Sequence, residues 1–266
     1  MTIQAATLAG GSNNQDRYII GDGFAAVLDG ATSFASDRSH DPGWYAEQLG
    51  QALTVAVPAN RSLPEAVTDA IRTVRDAHHL RPETTPTSTI ALARWTADIV
   101  ETYLLGDSFA VILRDDGTEE LHDDDRLSAV AVAERAAYRS RLADGEGYDD
   151  AHRAQLLSLQ AEQAQHRNRP GGYWIAGVEA EAGQHGITRS TAREQISAVL
   201  LASDGVALDR HPTANTWRDL YDETRRDGAA AVLQRIHDAE NTDPNGQQWP
   251  RAKIHDDKTI IITGMH

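Results

Sequence analysis

Four short apolar runs in this chain each meet an aspartate at one end, and that arrangement constrains the fold more than any other feature. The runs are Phe24–Leu28 before Asp29-Gly30, Ile99–Leu105 before Gly106-Asp107, Ile196–Ala202 before Ser203-Asp204-Gly205, and Thr259–Thr263 after Asp256-Asp257. Asp16 stands in the same relation to a further β-prone stretch, Arg17–Ile20. Each run reads as a strand bounded by turn chemistry. Taken singly, an Asp-Gly at a strand end is a turn former, because the short carboxylate bonds nearby backbone and glycine tolerates a positive φ. Taken together, the aspartates would crowd into a small volume if the strand ends converge on one edge. Carboxylates that close raise one another's pKa and cost stability unless a cation neutralises them.

The rest of the chain supplies layers for such strands. Thr2–Leu8 alternates weakly as a strand, and Thr87–Trp95 reads as another. A helix is predicted over Gly43–Val55. A second starts at Ser62, where Ser62 and Glu65 have capping-box spacing and Val67, Ile71 and Val74 recur at helical period. Gly106-Asp107-Ser108 separates two strands by a tight-turn signal, which predicts an antiparallel hairpin between Ile99–Leu105 and Phe109–Arg114. Asp116-Gly117 predicts another turn. Leu127 to Arg167 reads as two helices broken at Asp144-Gly145-Glu146-Gly147, and Tyr173–Ala176 as a return to strand. Two more helices fall near Thr213–Arg225 and Gly228–Asn241. Strands and helices come in blocks, which favours an α+β layered domain with antiparallel sheets. No repeat or flexible linker divides the chain, so a single domain over residues 1–266 is expected.

Composition narrows the chemistry. A formal charge of −15, from 40 acidic against 25 basic residues, repels phosphate backbones and argues against a nucleic-acid partner. With no cysteine, disulfides, thiolate metal sites and cysteine nucleophiles are excluded. The first residues lack a basic, apolar leader, and no window approaches the ~20 apolar residues of a membrane helix, so the protein reads as cytoplasmic with no membrane partner. There is no G-x-x-x-x-G-K-[ST], no G-x-S-x-G and no H-E-x-x-H. Asp123-Asp124-Asp125 lacks the alternating pattern of a calcium loop and reads as a solvated cap for a helix near Arg126. Trp95, Tyr103 and Trp174 read as core or sheet-face residues. Hard oxygen donors with no cysteine and no clustered histidine select Mg²⁺ or Mn²⁺ over zinc.

Asn14-Gln15-Asp16, Val27-Leu28-Asp29-Gly30, Leu105-Gly106-Asp107-Ser108, Leu201-Ala202-Ser203-Asp204-Gly205 and Asp256-Asp257-Lys258-Thr259 follow one another in an order and spacing that resembles the metal-dependent protein phosphatases of type 2C. The similarity runs from Gly10 to Thr263. The resemblance implies a four-layer α-β-β-α sandwich, with two central, mostly antiparallel sheets, flanking helices and a metal site at one edge. It implies two Mn²⁺ or Mg²⁺ ions, with a third in a weaker position. By position, Asp29 would bridge the ions and the Gly30 carbonyl would bind one of them. Asp204 and Asp256 would complete the other, Asp16 would act through water, and Asp107 with Asp204 would line the third position. Asp16, Asp29, Asp204 and Asp256 are thus the catalytic set. Thr87-Ser88-Thr89 resembles the small-residue strand start that precedes the family's hairpin, and the variable flap falls at about residues 121–172.

The chain departs from the family pattern where an arginine often grips the substrate phosphate, because position 11 is glycine. Ala31-Thr32-Ser33 replaces a histidine-containing turn, and Asp257 stands where asparagine is usual. Arg167 and Arg169, beside Gly171-Gly172, and Arg17 are the candidate replacements for the phosphate grip, since a guanidinium matches two phosphate oxygens at once; Arg38 is a further one. His40, lying soon after Asp29, is the best placed of the histidines. The expected function is hydrolysis of phosphoserine or phosphothreonine in proteins, or of a small phosphate ester, by water activated between two metals. The alternative is a catalytically weak, phosphatase-like binding or regulatory module.

Overall fold

A computed structural model of the chain describes residues 1–31, 40–58, 61–82, 85–210 and 213–266. In chain order it builds β1 (Thr2–Leu8), β2 (Asp16–Gly21), β3 (Phe24–Asp29), α1 (Pro42–Ala56), α2 (Leu63–Ala77), β4 (Ile90–Trp95), β5 (Ile99–Leu105) and β6 (Phe109–Arg114). There follow β7 (Glu119–His122), α3 (Val132–Ala143), α4 (Asp150–His166), β8 (Ile187–Ala192), β9 (Ile196–Ala202), α5 (Trp217–Asp227), α6 (Ala229–Asn241) and β10 (Lys258–Gly264). One five-stranded sheet runs β1-β10-β9-β6-β7 and the other β2-β3-β4-β5-β8, with antiparallel pairing throughout.

The continuous apolar runs explain the layering. A strand buried on both faces needs no polar alternation, and these strands send successive residues into different cores. In β3, Phe24, Ala26 and Leu28 pack with α1 and α2, while Ala25 and Val27 point into the seam between the sheets. In β9, Ala198, Leu200 and Ala202 pack against α5 and α6, while Val199 and Leu201 join that seam. The result is the α-β-β-α sandwich, with α1 and α2 outside one sheet and α5 and α6 outside the other. Side chains cap the starts of α1, α2, α4 and α5. Ser62 and Glu65 form the capping box of α2, and Thr216 and Asp219 do the same for α5.

The predicted hairpin between β5 and β6 does not form. β5 pairs with β4 and β8 in one sheet, whereas β6 pairs with β7 and β9 in the other. Gly106-Asp107-Ser108 is therefore the crossing from sheet to sheet, with Gly106 at φ +85°. Turn chemistry is the same for a hairpin and a crossing; what decides is that both strands have two buried faces, which a two-stranded hairpin could not provide. The turn expected at Asp116-Gly117 forms, and it joins β6 in a hairpin to β7, a short strand that was not predicted. Tyr173–Ala176 makes only isolated bridges, Arg167 to Tyr173 and Ala176 to Ser88, and is not a strand. β8 went unpredicted because Ile187–Ala192 is an edge strand of mostly polar, exposed residues. The helical segment between β7 and β8 carries its own small core of Tyr138, Leu142, Leu156 and Leu159. Among the described residues no helix is long and apolar enough to cross a membrane.

Candidate metal centre

Antiparallel register brings the five aspartates to one edge. Asp16, first in β2, and Asp29, last in β3, are direct cross-strand partners. Beyond Asp29, Gly30 bridges to Ser88 just before β4, and the start of β4 pairs with the end of β5 at Ile90 and Leu105. In the other sheet Ala202, at the end of β9, lies opposite both Phe109, which opens β6, and Ile260 near the start of β10. Asp107, Asp204 and Asp256 therefore leave neighbouring strand ends at the same edge. Hydrogen bonds stitch the two sheets there: Ser203 Oγ donates to Asp16 Oδ2 at 2.7 Å, and Thr89 Oγ1 meets Ser108 Oγ at 2.5 Å.

The segment Thr87-Ser88-Thr89 clasps the Asp29 turn. Thr89 N–H donates to the Asp29 carbonyl and Ala31 N–H to the Thr87 carbonyl, both at 2.9 Å. The backbone approaches so closely at Gly30 that a Cβ there would meet the Gln15 carbonyl oxygen at 2.7 Å. Asp257 adds to the negative charge around Asp16 but acts mainly as a staple. Its carboxylate accepts from Gly10 N–H at 2.7 Å and Gln15 N–H at 2.8 Å, which ties the loop before β2 to the strand end that carries Asp256. An asparagine could offer only one oxygen to these two donors.

The electrostatics match a site built for cations. Burial pushes the Asp16 carboxyl up to about 7, with Asp257 and Asp256 adding to it and the Ser203 hydroxyl opposing. Burial, then the charges of Asp16, Asp204, Asp256 and Asp107, hold Asp29 well above the usual carboxylate range. Burial and Asp204 take Asp107 to about 7. Asp204 is also raised, chiefly by burial. At Asp256 burial acts in the same direction, but Lys253 and Arg210 outweigh it and its pKa is lowered. Asp16 Oδ1 is fully buried with no hydrogen-bond partner. An all-oxygen donor set, mutual repulsion and an orphaned carboxylate oxygen are what Mg²⁺ or Mn²⁺ would satisfy.

Two cations at this edge were not legible in the sequence. Arg210 Nη2 holds Asp204 Oδ2 at 2.8 Å with its Nη1 3.9 Å from Asp256 Oδ2, and Lys253 Nζ bonds Asp256 Oδ1 at 2.6 Å. Both lie outside strands in polar stretches with no motif, so only the packing reveals them. The predicted arginines are placed elsewhere. Arg17 donates to the Asn14 and Asp16 carbonyls and lies 3.7 Å from Glu47, and Arg167 donates to the Tyr173 hydroxyl. A cavity of about 920 Å³ opens beside the carboxylates, and Arg135, Arg139 and Arg210 line it where Arg17, Arg167 and Arg169 do not. Gly11 has open space around it. His40 stacks on Trp44, centroids 3.9 Å apart, and Arg38 and Ser33 lie outside the described residues. Asp124 is not solvated as expected: it is buried, bonded to Arg126, and caps a short 3-10 turn.

A second group gathers behind Asp256, where His237, Glu240 and His255 bring ligand atoms within 4.8 Å of one another. Glu240 Oε2 already accepts from His255 Nδ1 and from the buried Lys258 Nζ, each at 2.8 Å. The two imidazoles stack with an interplanar angle of 21°, so their in-plane lone pairs cannot meet on one ion. Lys258 Nζ also donates to the Asp256 carbonyl at 2.7 Å. The group is thus a clamp on the strand entry that carries Asp256.

The sequence pattern of the protein phosphatase 2C family matches residues 3–244. No curated protein matches the chain. Among solved structures it is similar to PppA, a key regulatory component of the T6SS in Pseudomonas aeruginosa, with 18% identity, TM-score 0.58, and 99% and 97% of the two chains covered. It is also similar to the catalytic domain of the serine threonine protein phosphatase PstP in complex with two manganese ions, at 15% identity, TM-score 0.57, covering 98% and 96%. PstP is a Mycobacterium tuberculosis protein. The serine/threonine phosphatase Stp1 from Staphylococcus aureus gives 14% identity, TM-score 0.57, covering 99% and 94%. At these identities the structural likeness establishes the fold.

Proposed function

The chain belongs to the protein phosphatase 2C family, and from that premise we propose that it hydrolyses phosphoserine or phosphothreonine esters with two divalent ions held by Asp29, the Gly30 carbonyl, Asp204 and Asp256. Asp107 with Asp204 would offer a third, weaker position, and Asp16 would act through water. The observation that carries the reading is the convergence of five acidic strand ends whose mutual repulsion Arg210 and Lys253 offset only in part, leaving Asp16, Asp29 and Asp107 with raised pKa values. Mn²⁺ or Mg²⁺ supplies polarisation of the phosphoryl oxygens and a water nucleophile at neutral pH. The chain's own contribution is position and charge. Antiparallel pairing fixes Asp16 against Asp29, the Ser203 hydroxyl orients the Asp16 carboxylate, and the Glu240–Lys258 clamp holds the Asp256 backbone. Manganese as the preferred ion is favoured by the two manganese ions of the similar PstP domain.

The test is hydrolysis of p-nitrophenyl phosphate and phosphopeptides with Mn²⁺, comparing the wild type with Asp204→Asn. Loss of one metal-ligating carboxylate is expected to lower the metal-dependent rate by at least ~100-fold, on the order of 3 kcal/mol of transition-state stabilisation. A wild-type rate no higher than that of the variant, with and without metal, would sink the reading. The second reading, a metal-binding module with little turnover, is favoured by one observation: Arg210 and Lys253 already pair with Asp204 and Asp256. Binding of Mn²⁺ by calorimetry without turnover on any phosphate ester would support it.

A further inference from the structure

The phosphatase reading accounts for the carboxylates but not for the cations of the cavity beside them. Helix α3 turns one face to that cavity, with Val132, Arg135, Ala136 and Arg139 in its lining at i, i+3, i+4 and i+7. Arg135 and Arg139 are thus like charges one turn apart, an arrangement that destabilises an isolated helix. Among the described residues neither arginine forms an ion pair with a carboxylate. Arg135 is partly buried, and its Nη1 and Nη2 donate to the carbonyls of Ser128, Val130 and Leu127 at 2.8–3.0 Å. Those bonds fix the guanidinium but bring no carboxylate into contact with it and leave some of its five donors unspent. Arg139 is exposed. Asp107 and Arg210 are both close enough to Arg135 to act on its charge, so the flap helix faces the carboxylate cluster directly.

Arginines placed so that each repels the other, and held by neutral carbonyls, suit an anion brought in from outside. The cavity, at about 920 Å³, is far larger than a phosphate ester needs and has room for several peptide residues. It is not uniformly cationic. Seven aspartates share its lining, Asp123, Asp125 and Asp209 among them besides those of the cluster, so an anionic group is accepted only along the α3 side.

We propose that Arg135 and Arg139 form a subsite for a second anionic group of the substrate, so that the preferred substrate is a phosphopeptide with an acidic or phosphorylated residue on one side of the scissile phosphoresidue. This rests on the phosphatase reading and adds a substrate class to it. One charge-assisted bond to a guanidinium is worth about 1.5–3 kcal/mol, which corresponds to a selectivity of about tenfold or more.

The test uses the Mn²⁺-loaded protein and three phosphoserine peptides, one neutral, one with glutamates on the amino side and one with glutamates on the carboxyl side. p-Nitrophenyl phosphate, which has no second anion, is run in parallel. The expected result is about tenfold higher kcat/KM for one acidic peptide over the neutral one. That ratio should fall to near one in Arg139→Gln and below one in Arg139→Glu. Because the readout is a ratio on one protein, a general loss of folded material leaves it unmoved. Equal kcat/KM for all three peptides, or a preference that survives Arg139→Glu, overturns the inference alone while p-nitrophenyl phosphate is still turned over. No turnover of any substrate overturns the phosphatase reading and the inference with it.

Discussion

Asp16 shows what the site costs the molecule. It is 1% exposed, holds the Ser203 hydroxyl with one oxygen and has no partner for the other. Its carboxyl, pushed up to about 7 mainly by burial, is ionised at pH 8 and protonated at pH 5. Asp16→Asn should therefore stabilise the metal-free protein at pH 8 by ~1 kcal/mol, or about 2–4 °C in Tm, and change little at pH 5. Thermal unfolding at the two pH values checks this; a lower Tm for the variant at pH 8 contradicts it. The same variant should lose metal-dependent hydrolysis. At this scale the sequence was informative about which aspartates gather, because each sits at a strand end. It was silent about Arg210 and Lys253, whose roles depend only on where the chain after β9 and before β10 folds back.

At the scale of elements, strand ends do the positioning, and tight backbone approaches hold them. Gly205, in the 3-10 turn after β9, has no room for a side chain: a Cβ would lie 2.2 Å from the Asp257 carbonyl oxygen. Gly205→Ala should destabilise the fold by ~1–3 kcal/mol, as overpacking does, and weaken Mn²⁺ binding because the shift falls between Asp204 and Asp257. Gly11→Ala, with nothing within 4 Å of its new methyl, is the control and should leave Tm within about 1 °C. Chemical denaturation and metal titration of the two variants separate these outcomes; equal stability would show that the turn is not constrained. Turn signals located the chain reversals correctly, yet Gly106-Asp107-Ser108 proved to be a crossing between sheets. Local chemistry specifies that the chain turns, not which partner the next strand finds.

For the whole molecule, the aspartate cluster makes stability and metal binding pull against each other as pH changes. Asp16, Asp29, Asp107 and Asp204 all have folded-state pKa values raised above the ordinary 3.8. A raised carboxyl favours the folded state fully below its unfolded pKa, and that contribution is lost as pH climbs through the folded value. The metal-free protein should thus lose stability between about pH 4 and pH 7, the window set by the values at Asp16 and Asp107. Saturating Mn²⁺ should reverse the trend over pH 6 to 8, since ions compete with protons for the same oxygens. Melting curves with Mn²⁺ and with a chelator measure both slopes, and parallel curves would show that the cluster does not bind the ion.

The amino-acid sequence by itself determined most of the strands, the helices with the capping box at Ser62, the α+β class and the identity of the acidic residues. These are properties of apolar period, turn chemistry and residue type, which act over a few positions. Tertiary structure alone decided that β5 and β6 belong to different sheets and that Tyr173–Ala176 is no strand. It also decided that the cavity cations are Arg135, Arg139, Arg210 and Arg251 rather than Arg17, Arg167 and Arg169. The physical reason is range. An aspartate at a strand end announces itself locally, whereas a guanidinium on a long flexible stem takes its role from whichever charges the fold brings within reach.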